Sequence, residues 1–252
     1  MLVFIGFDDT DTPEADRGTG KLARYFEKEL PAGYRLLGVV RQQLLVHADV
    51  PFTSHNSSAC AIFDLEDSCS MSQLTERAIA HIERLAFEGS DPGLCVARAD
   101  DPGLPGLIQF GRKCTHRIVS QKEALAAARN VHLSGHGGTN DGIIGAAASV
   151  GLTAYGWCGR FIEFGGLRGY PELISVSDLE RSDIMVVSLD RDAAFPAPDD
   201  IVHNRGWLRP RLWGGRAVLG VAPNGAGRWE TLDRKKRRKR GDPGSRKLGS
   251  RA

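Results

Sequence analysis

The alternation of apolar and polar positions predicts six elements within the first hundred residues. Short apolar runs rich in β formers predict strands, and apolar residues at helical spacing predict helices. The resulting order, β-α-β-β-α-β, is that of a ferredoxin-like unit. The predicted elements are strand 2–7, helix 18–30, strand 35–46, strand 58–65, helix 71–87 and strand 94–97.

The rest of the chain predicts a glycine-loop and helix unit followed by a β-rich C-terminal part. A Gly-, Pro- and Asp-rich loop at 100–106 precedes a helix at 120–130, where Ser120 and Glu123 fit a capping box. A glycine-rich loop at 134–145 leads into a small-residue helix at 142–150. The later strand segments are 153–164, 174–179, 183–190 and 216–222.

These elements predict the α+β class and three regions. Residues 1–165 would form one domain with a ferredoxin-like part, and residues 166–233 a β-rich part packed on it. Residues 234–252 would be a disordered basic tail, because they cannot bury enough apolar surface to become ordered.

The charges are distributed unevenly between this tail and the other residues. The whole chain holds 33 Lys+Arg and 31 Asp+Glu, a formal net charge of +2. Residues 234–252 hold ten basic residues and one acid, a net charge of +9, so the other residues carry −7. The dense basic run from Arg234 to Arg240 is typical of an arm that binds RNA or another polyanion.

Composition excludes several classes of protein. The hydrophobic content of 41% and the charged content of 25% are those of a globular protein. No apolar run approaches the ~20 residues needed to span a bilayer, and the opening MLVFIGFDDTD lacks the basic segment of a signal peptide. Five cysteines without a CxxC pair argue against a zinc site and against secretion, so we expect a reducing cytoplasm.

Three carboxylates, Asp8, Asp9 and Asp11, follow the first predicted strand directly. Like charges this close repel one another, and a cation such as Mg²⁺ would neutralise them. Mg²⁺ is commonly bound by one or two carboxylates together with substrate phosphates. The alternative is a solvated acidic turn with Asx hydrogen bonds.

Two glycine-containing segments are candidates for anion binding. Gly18-Thr19-Gly20-Lys21 stands at a predicted helix start, where backbone N–H groups favour anions and Lys21 adds a positive charge. The loop with Gly135, Gly137, Gly138, Asn140 and Gly142 would let the backbone approach a ligand closely. The alternatives are an ordinary helix-start turn for the first segment and tight helix packing for the second.

Two further groups of residues could contact a nucleic acid. Ser54, His55 and Asn56 lie in a polar connection between two predicted strands, which could hold a base or sugar or be an ordinary hairpin loop. Trp207, Trp213 and Trp229 are interleaved with arginines and could stack on single-stranded nucleic acid. The alternative is that these tryptophans fill the core of the C-terminal part.

Taken in order, five segments resemble the archaeal 2-agmatinylcytidine synthetases, which modify an isoleucine tRNA. The opening IGFDDTDTPE resembles the IGIDDTDS opening of that family, and GGTNDGIIGAAASVG resembles its GNGRGLIGALAAIG-like loop. Between them, DVPFTSHNSSACAIF, SDPGLCV and IVSQKEALAAA resemble further family segments. The resemblance covers roughly residues 2–165.

The resemblance implies a kinase-like module that binds ATP and Mg²⁺ and activates a tRNA cytidine for attack by agmatine. It implies that the three carboxylates hold Mg²⁺ and that the loop from Gly135 to Gly142 cradles the nucleotide. The family also phosphorylates one of its own threonines, where this chain has Lys21 with Thr19 nearby. We expect the family's zinc ribbon to be absent here, because the sequence has no CxxC, and its OB-fold to be absent, because the chain stops where the family continues into it.

The leading hypothesis is an ATP- and Mg²⁺-dependent phosphoryl- or nucleotidyl-transfer enzyme acting on RNA, with the basic tail as an arm for tRNA and with no membrane and no zinc. The alternatives are a non-catalytic nucleotide-sensing or nucleic-acid-binding relative and a small-molecule kinase. The residues assigned to catalysis are Asp8, Asp9, Asp11 and Lys21. Those assigned to the nucleotide are Gly18, Thr19, Gly20, Gly135, Gly137, Gly138, Asn140 and Gly142. Those assigned to the substrate are Ser54, His55 and Asn56.

Overall fold

The structure is a computed structural model that describes residues 1–50, 55–189 and 194–232, and these form a mixed α+β fold around one large, mostly antiparallel sheet. The strands β1 to β12 are Leu2–Asp8, Tyr34–Gln43, Ser57–Leu65, Gly93–Arg98, His132–Gly135, Arg160–Glu163, Leu173–Ser175, Ile184–Ser188, Ile201–His203, Arg211–Trp213, Arg216–Pro223 and Arg228–Thr231. The helices α1 to α6 are Thr19–Tyr25, Met71–Leu85, Leu104–Cys114, Gln121–Ala127, Gly142–Tyr155 and Val176–Glu180.

The first part of the sheet follows the predicted order of elements. β1, α1, β2, β3, α2 and β4 succeed one another, and the four strands lie side by side in the order β4-β1-β3-β2. All three pairs are antiparallel, and Ile5 of β1 faces Ala61 of β3 and Val96 of β4. The predicted helix 18–30 consists of two pieces, α1 and a 3₁₀ helix at Phe26–Glu29.

Helices cover both faces of these four strands. α1 and α2 close one face over a core that includes Phe7 and Phe63. α3 and α5 close the other face over a core that includes Phe4, Cys60 and Cys95. Successive residues of β1 point to opposite cores, as expected of a strand buried on both faces. The end of β1 is therefore enclosed between two helical layers.

Two predictions around α3 and α5 are wrong in part. The predicted loop 100–106 ends early, because α3 begins at Leu104 with Pro105 in its first turn, where proline removes no helical hydrogen bond. The predicted strand 153–164 is helical at its start, because α5 continues to Tyr155 and ends at Gly156 with a left-handed φ of 74°. Its strand portion is limited to Arg160–Glu163.

Two other boundaries also differ from the prediction. The predicted strand 174–179 becomes α6 at Val176, because the hydroxyl of Ser175 accepts the N–H of Asp178 and starts a helix. The glycine loop starts later than predicted, since its first residues belong to β5, which ends at Gly135. The capping box of Ser120 and Glu123 at the start of α4 is confirmed.

The sheet continues from β2 into the C-terminal part through β6. β6 pairs with β2, β10 pairs with β6, and the path continues in the order β10-β11-β12-β9-β7 with β8 beside β11. A third core, which includes Leu179, Val202 and Val221, fills this region. One sheet thus runs across the predicted boundary at 165. The predicted tail 234–252 lies outside the described residues.

None of the helices in the described ranges is both long and apolar enough to cross a bilayer. The five cysteines are free, and Cys60, Cys95 and Cys114 are buried. Burial raises the pKa of the Cys60 thiol to about 12, so this side chain is uncharged in the core.

Gly93 sets the approach of β4 to α5, and its replacement tests this packing. A Cβ at Gly93 would overlap the backbone of Gly142 at the start of α5. We expect Gly93→Ala to lower the free energy of unfolding by about 2–3 kcal/mol, because overpacking against backbone forces the helix to shift. Urea unfolding measures this change.

Gly169→Ala is the control for this variant. A Cβ at Gly169 would meet nothing closer than a backbone oxygen at 3.5 Å, so we expect a change within about 0.5 kcal/mol. Equal stability of Gly93→Ala and the wild type would contradict the packing described here.

Candidate functional site

The three predicted carboxylates lie at or just after the end of β1, and burial opposes the ionisation of Asp8 and Asp9. Burial, with a further contribution from Asp9, raises the pKa of Asp8 to about 8. Partial burial, and then repulsion from Asp91, Asp11 and Asp141, raise the pKa of Asp9 to about 6. Asp9 also has a positive φ of 49°, which is uncommon for a residue with a side chain. Ionisation of Asp8 and Asp9 therefore costs more free energy here than it does in water.

Asp11 is fixed by the start of α1. Its Oδ1 accepts the backbone N–H of Thr19 at 3.3 Å and the Thr19 hydroxyl at 3.1 Å. The Thr10 hydroxyl donates in turn to Thr19 Oγ1 at 3.1 Å. The buried Thr19 side chain thus connects the segment 18–21 to the carboxylates. α1 has only seven residues, so this segment contributes to an anion site mainly through the charge of Lys21.

The glycine loop lies beside the carboxylates. Asp91, just before β4, accepts the backbone N–H and the hydroxyl of Thr139, both at 2.7 Å. A Cβ at Gly138 would overlap the Asp91 carboxylate, and a Cβ at Gly145 would overlap that of Asp8. Glycine at these two positions is therefore required for the loop and α5 to contact the acidic side chains.

Much of the loop backbone is already hydrogen-bonded within the protein. The N–H of Gly142 donates to the Asp91 carbonyl at 3.0 Å, and the N–H of Asn140 donates to the Gly137 carbonyl at 3.2 Å. Within the described ranges, the N–H groups of Gly137 and Gly138 have no protein acceptor. These two amides remain available to a ligand. The N–H of Gly142 is used within the protein, which fits the packing interpretation for this glycine.

Two cavities border the carboxylate loop. One, of about 220 Å³, is lined by Asp8 and Asp9 together with Arg117 and the start of α5. The other, of about 740 Å³, is lined by Asp11 and by the segment Gly18-Thr19-Gly20-Lys21. The predicted residues therefore line two cavities: Asp8 and Asp9 share one with the start of α5, and Asp11 shares the other with Lys21.

The larger cavity, which we call the basic pocket, collects cations from separate segments. Burial and repulsion from Arg168 and Arg24 lower the pKa of Arg209 to about 10. The pKa of Arg41 is lowered by burial and by Arg160. Guanidinium groups held close enough to repel one another favour a bound anion. The cations of the basic pocket are Lys21, Arg24, Arg41, Arg160, Arg168 and Arg209.

Two residues of the predicted substrate segment, His55 and Asn56, line different cavities. Ser54 lies outside the described residues. His55 is exposed and lines the basic pocket. Asn56 borders the carboxylate cavity, and its amide nitrogen donates to the Leu45 carbonyl at 2.6 Å. Asn56 therefore shapes the connection between β2 and β3, whereas His55 is accessible to a ligand in the basic pocket.

The three tryptophans considered for stacking lie in three different environments. The Arg209 guanidinium lies 3.8 Å from the ring centroid of Trp207, which lines the basic pocket. Trp213 lines a neighbouring cavity. Trp229 is buried in the third core, and its indole N–H donates to Asp200 at 2.8 Å. The core interpretation therefore holds for Trp229, and the stacking interpretation is wrong for it.

The acidic donors fit a magnesium ion whose shell is completed by phosphate oxygens. Across residues 1–50, 55–189 and 194–232, no three His, Cys, Asp or Glu side chains are grouped so that they could hold a metal ion by themselves. Mg²⁺ keeps several waters and often binds one or two carboxylates plus substrate phosphates. Burial first, and repulsion among the carboxylates second, raise the pKa values of Asp8 and Asp9, and a bound cation would offset both effects.

Several solved structures are similar to this chain in fold. One is a tRNA fluorescent labeling enzyme, and another is TiaS in complex with an isoleucine tRNA and ATP. Each is 23% identical to this chain with a TM-score of 0.51, over 60% of this chain and 36% of the other. Apo TiaS, described as an agmatidine synthetase for that tRNA, aligns at 22% identity and a TM-score of 0.49, over 60% and 35%.

The resemblance to 2-agmatinylcytidine synthetases is thus confirmed at the level of the fold. The chain spans little more than a third of the length of these structures. Searches against protein-family models and against curated proteins found no match.

Several charged residues of the site are absent from the set that the sequence patterns predict. Asp91, Arg24, Arg41, Arg160 and Arg168 come from five separate segments, and only the folded chain brings them together. For Arg41 and Arg160 the cause is strand pairing, since they are direct partners across β2 and β6. A sequence signal exists for Asp91, which lies within the family-like segment SDPGLCV.

Replacement of Asp8 tests whether its burial makes the protein sensitive to pH. The folded pKa of about 8 exceeds the ordinary value of 3.8, so the folded state retains a proton that the unfolded chain has lost. Stability therefore falls as the pH rises from about 4 to about 8. Asp8→Asn keeps the uncharged form, and we expect it to exceed the wild type in stability by about 2 kcal/mol or more near pH 8.5.

Urea unfolding at about pH 4 and about pH 8.5 checks this expectation. Asp16→Asn is the matched control, because the Asp16 side chain in the same loop is 73% exposed. We expect the control to follow the wild type at both values. If the stability of Asp8→Asn and that of the wild type changed equally with pH, the raised pKa of Asp8 would be contradicted.

Proposed function

We propose that this protein is an ATP- and Mg²⁺-dependent enzyme that transfers a phosphoryl or nucleotidyl group to RNA. The observation that carries the proposal is the cluster of Asp8, Asp9 and Asp11, which adjoins the glycine loop on one side and the basic pocket on the other. Phosphoryl transfer depends mostly on positioning and charge neutralisation. An acidic metal site beside a basic pocket is suited to both.

The carboxylates are proposed to hold Mg²⁺ together with the nucleotide. One or two of Asp8, Asp9 and Asp11 would supply oxygen ligands beside the phosphates, and the hydrogen bonds from Thr19 fix the orientation of Asp11. When bound, Mg²⁺ neutralises phosphate charge and stabilises the charge that develops during transfer. The amides of Gly137 and Gly138 donate to a phosphate oxygen in this proposal.

Lys21 and the basic pocket are proposed to bind the anionic groups of the substrates. Lys21 lines the same cavity as Asp11, so its charge offsets that of phosphates close to the metal. His55 offers a ring at the rim of this pocket for contact with the acceptor. These roles need no covalent intermediate on Lys21.

RNA is the proposed acceptor, and tRNA is the favoured class of RNA. TiaS, which is similar in fold, has been solved in complex with an isoleucine tRNA and ATP.

The β1–β4 unit is proposed to be ferredoxin-like, because its strands have the order β4-β1-β3-β2. The proposed function also places the protein in the cytoplasm, where ATP, Mg²⁺ and tRNA occur together.

Calorimetric titration with ATP and Mg²⁺ tests the carboxylate assignment. Asp11→Asn keeps an oxygen to accept the hydrogen bonds of Thr19 but removes the charge. We expect it to weaken binding of Mg²⁺-ATP by about tenfold or more, because the metal loses its interaction with one charged ligand. Asp16→Asn is expected to bind as the wild type does, and unchanged binding by Asp11→Asn would refute the metal assignment.

Transfer of label from ATP tests the acceptor. The full chain is incubated with Mg²⁺ and with ATP labelled at either the α- or the γ-phosphate, in the presence of total cellular RNA or of a pool of small metabolites. We expect label in RNA, and the labelled position separates nucleotidyl from phosphoryl transfer. Label that enters only small metabolites would make the protein a small-molecule kinase. Binding of ATP without any transfer would make it a nucleotide sensor.

A further inference from the structure

Three arginines form a row across the sheet where its first part meets the C-terminal part. Arg41 of β2 is the direct partner of Arg160 of β6, and Arg160 is the direct partner of Arg211 of β10. Directly opposed residues point to the same face of a sheet, and like charges in that arrangement are destabilising. The arginine row therefore has a structural cost that an anion along the row would offset.

The arginine row lies in a continuous groove. The basic pocket and a second cavity of about 360 Å³ are both lined by Arg41, Gln43 and Arg160. Arg211 lines the second cavity as well. The groove therefore extends from Lys21, beside the carboxylate loop, to the far end of the arginine row.

Aromatic side chains line the far end of this groove. Trp157 and Trp213 both border the second cavity. Trp157 is 61% exposed, which is unusual for so large an apolar ring. The Arg211 guanidinium lies 5.2 Å from the centroid of the Trp213 ring. Two accessible indoles beside a row of cations offer stacking surfaces next to phosphate-binding groups.

We infer that this groove binds a single-stranded segment of RNA, with phosphates along the arginine row and bases against Trp157 and Trp213. Single strands are bound by positive grooves with aromatic stacking surfaces, because their bases are free to leave the stack. A free triphosphate would use the cations but leave both tryptophans without a role. The inference rests on the proposed function only in taking RNA as the acceptor, and it places RNA binding on the folded part of the chain.

Fluorescence anisotropy with the full chain tests the groove. The probes are a short labelled RNA without secondary structure and the same sequence as a duplex. Arg160→Gln is expected to weaken single-strand binding about 5- to 10-fold and to reduce the slope of log affinity against log salt by about 0.7. Trp157→Ala is expected to weaken it about 5- to 100-fold, and Trp157→Phe to keep most of the affinity.

Stability and an unrelated arginine provide the controls. Arg129, exposed beyond the end of α4 and outside the groove, gives the matched variant Arg129→Gln, which is expected to bind RNA as the wild type does. Arg160→Gln keeps a polar side chain at an exposed position, so we expect its unfolding temperature to stay close to that of the wild type. A purely structural role for Arg160 would instead lower that temperature together with the affinity.

The outcomes also separate this inference from the proposed function. A wild-type protein that fails to bind Mg²⁺-ATP but binds single strands through the groove would refute only the catalytic proposal. Wild-type affinity of both Arg160→Gln and Trp157→Ala would overturn the inference. Equal affinity for the duplex, or complete loss of RNA binding on deletion of residues 234–252 alone, would overturn it as well.

Discussion

The close contact of α5 with the ends of β1 and β4 is the constraint on which the candidate site depends. Glycine occupies both sides of this contact at Gly6, Gly93, Gly142 and Gly145, where a Cβ would overlap neighbouring backbone or the Asp8 carboxylate. The helix lies so near the sheet that Asp8 is largely shielded from water, and its pKa rises accordingly. Packing of small residues thus determines the electrostatics of the acidic cluster.

The site joins an acidic half to a basic half, and neither is visible in the net charge of +2. The acidic half contains carboxylates that repel one another at the end of β1. The basic half contains arginines, and burial together with their mutual repulsion lowers the pKa of Arg41 and Arg209. Asp11 and Lys21 line the basic pocket together, so the two halves meet there. A metal–polyphosphate ligand would relieve the repulsion in both halves, because it carries both signs of charge.

Local patterns predict the parts of this structure that depend on neighbouring residues in the chain. The strand before Asp8, the capping box of Ser120 and the element order up to β4 all follow from periodicity and capping. The same patterns predict too short a helix α5, because residues that favour a strand continue as helix where they pack against α3. They do not predict the basic pocket, since Arg41 and Arg160 are brought together by pairing of strands that are far apart in sequence.

Thermal unfolding of the wild type at about pH 8, with Mg²⁺ alone, ATP alone or both, tests the central claim most directly. A ligand that binds only the folded state raises the unfolding temperature, and a tighter ligand at the same concentration raises it further. If the buried carboxylates form a site completed by phosphates, Mg²⁺ and ATP together will raise it well beyond the sum of their separate effects. No increase with the two together, or the same increase in Asp11→Asn, would contradict the account.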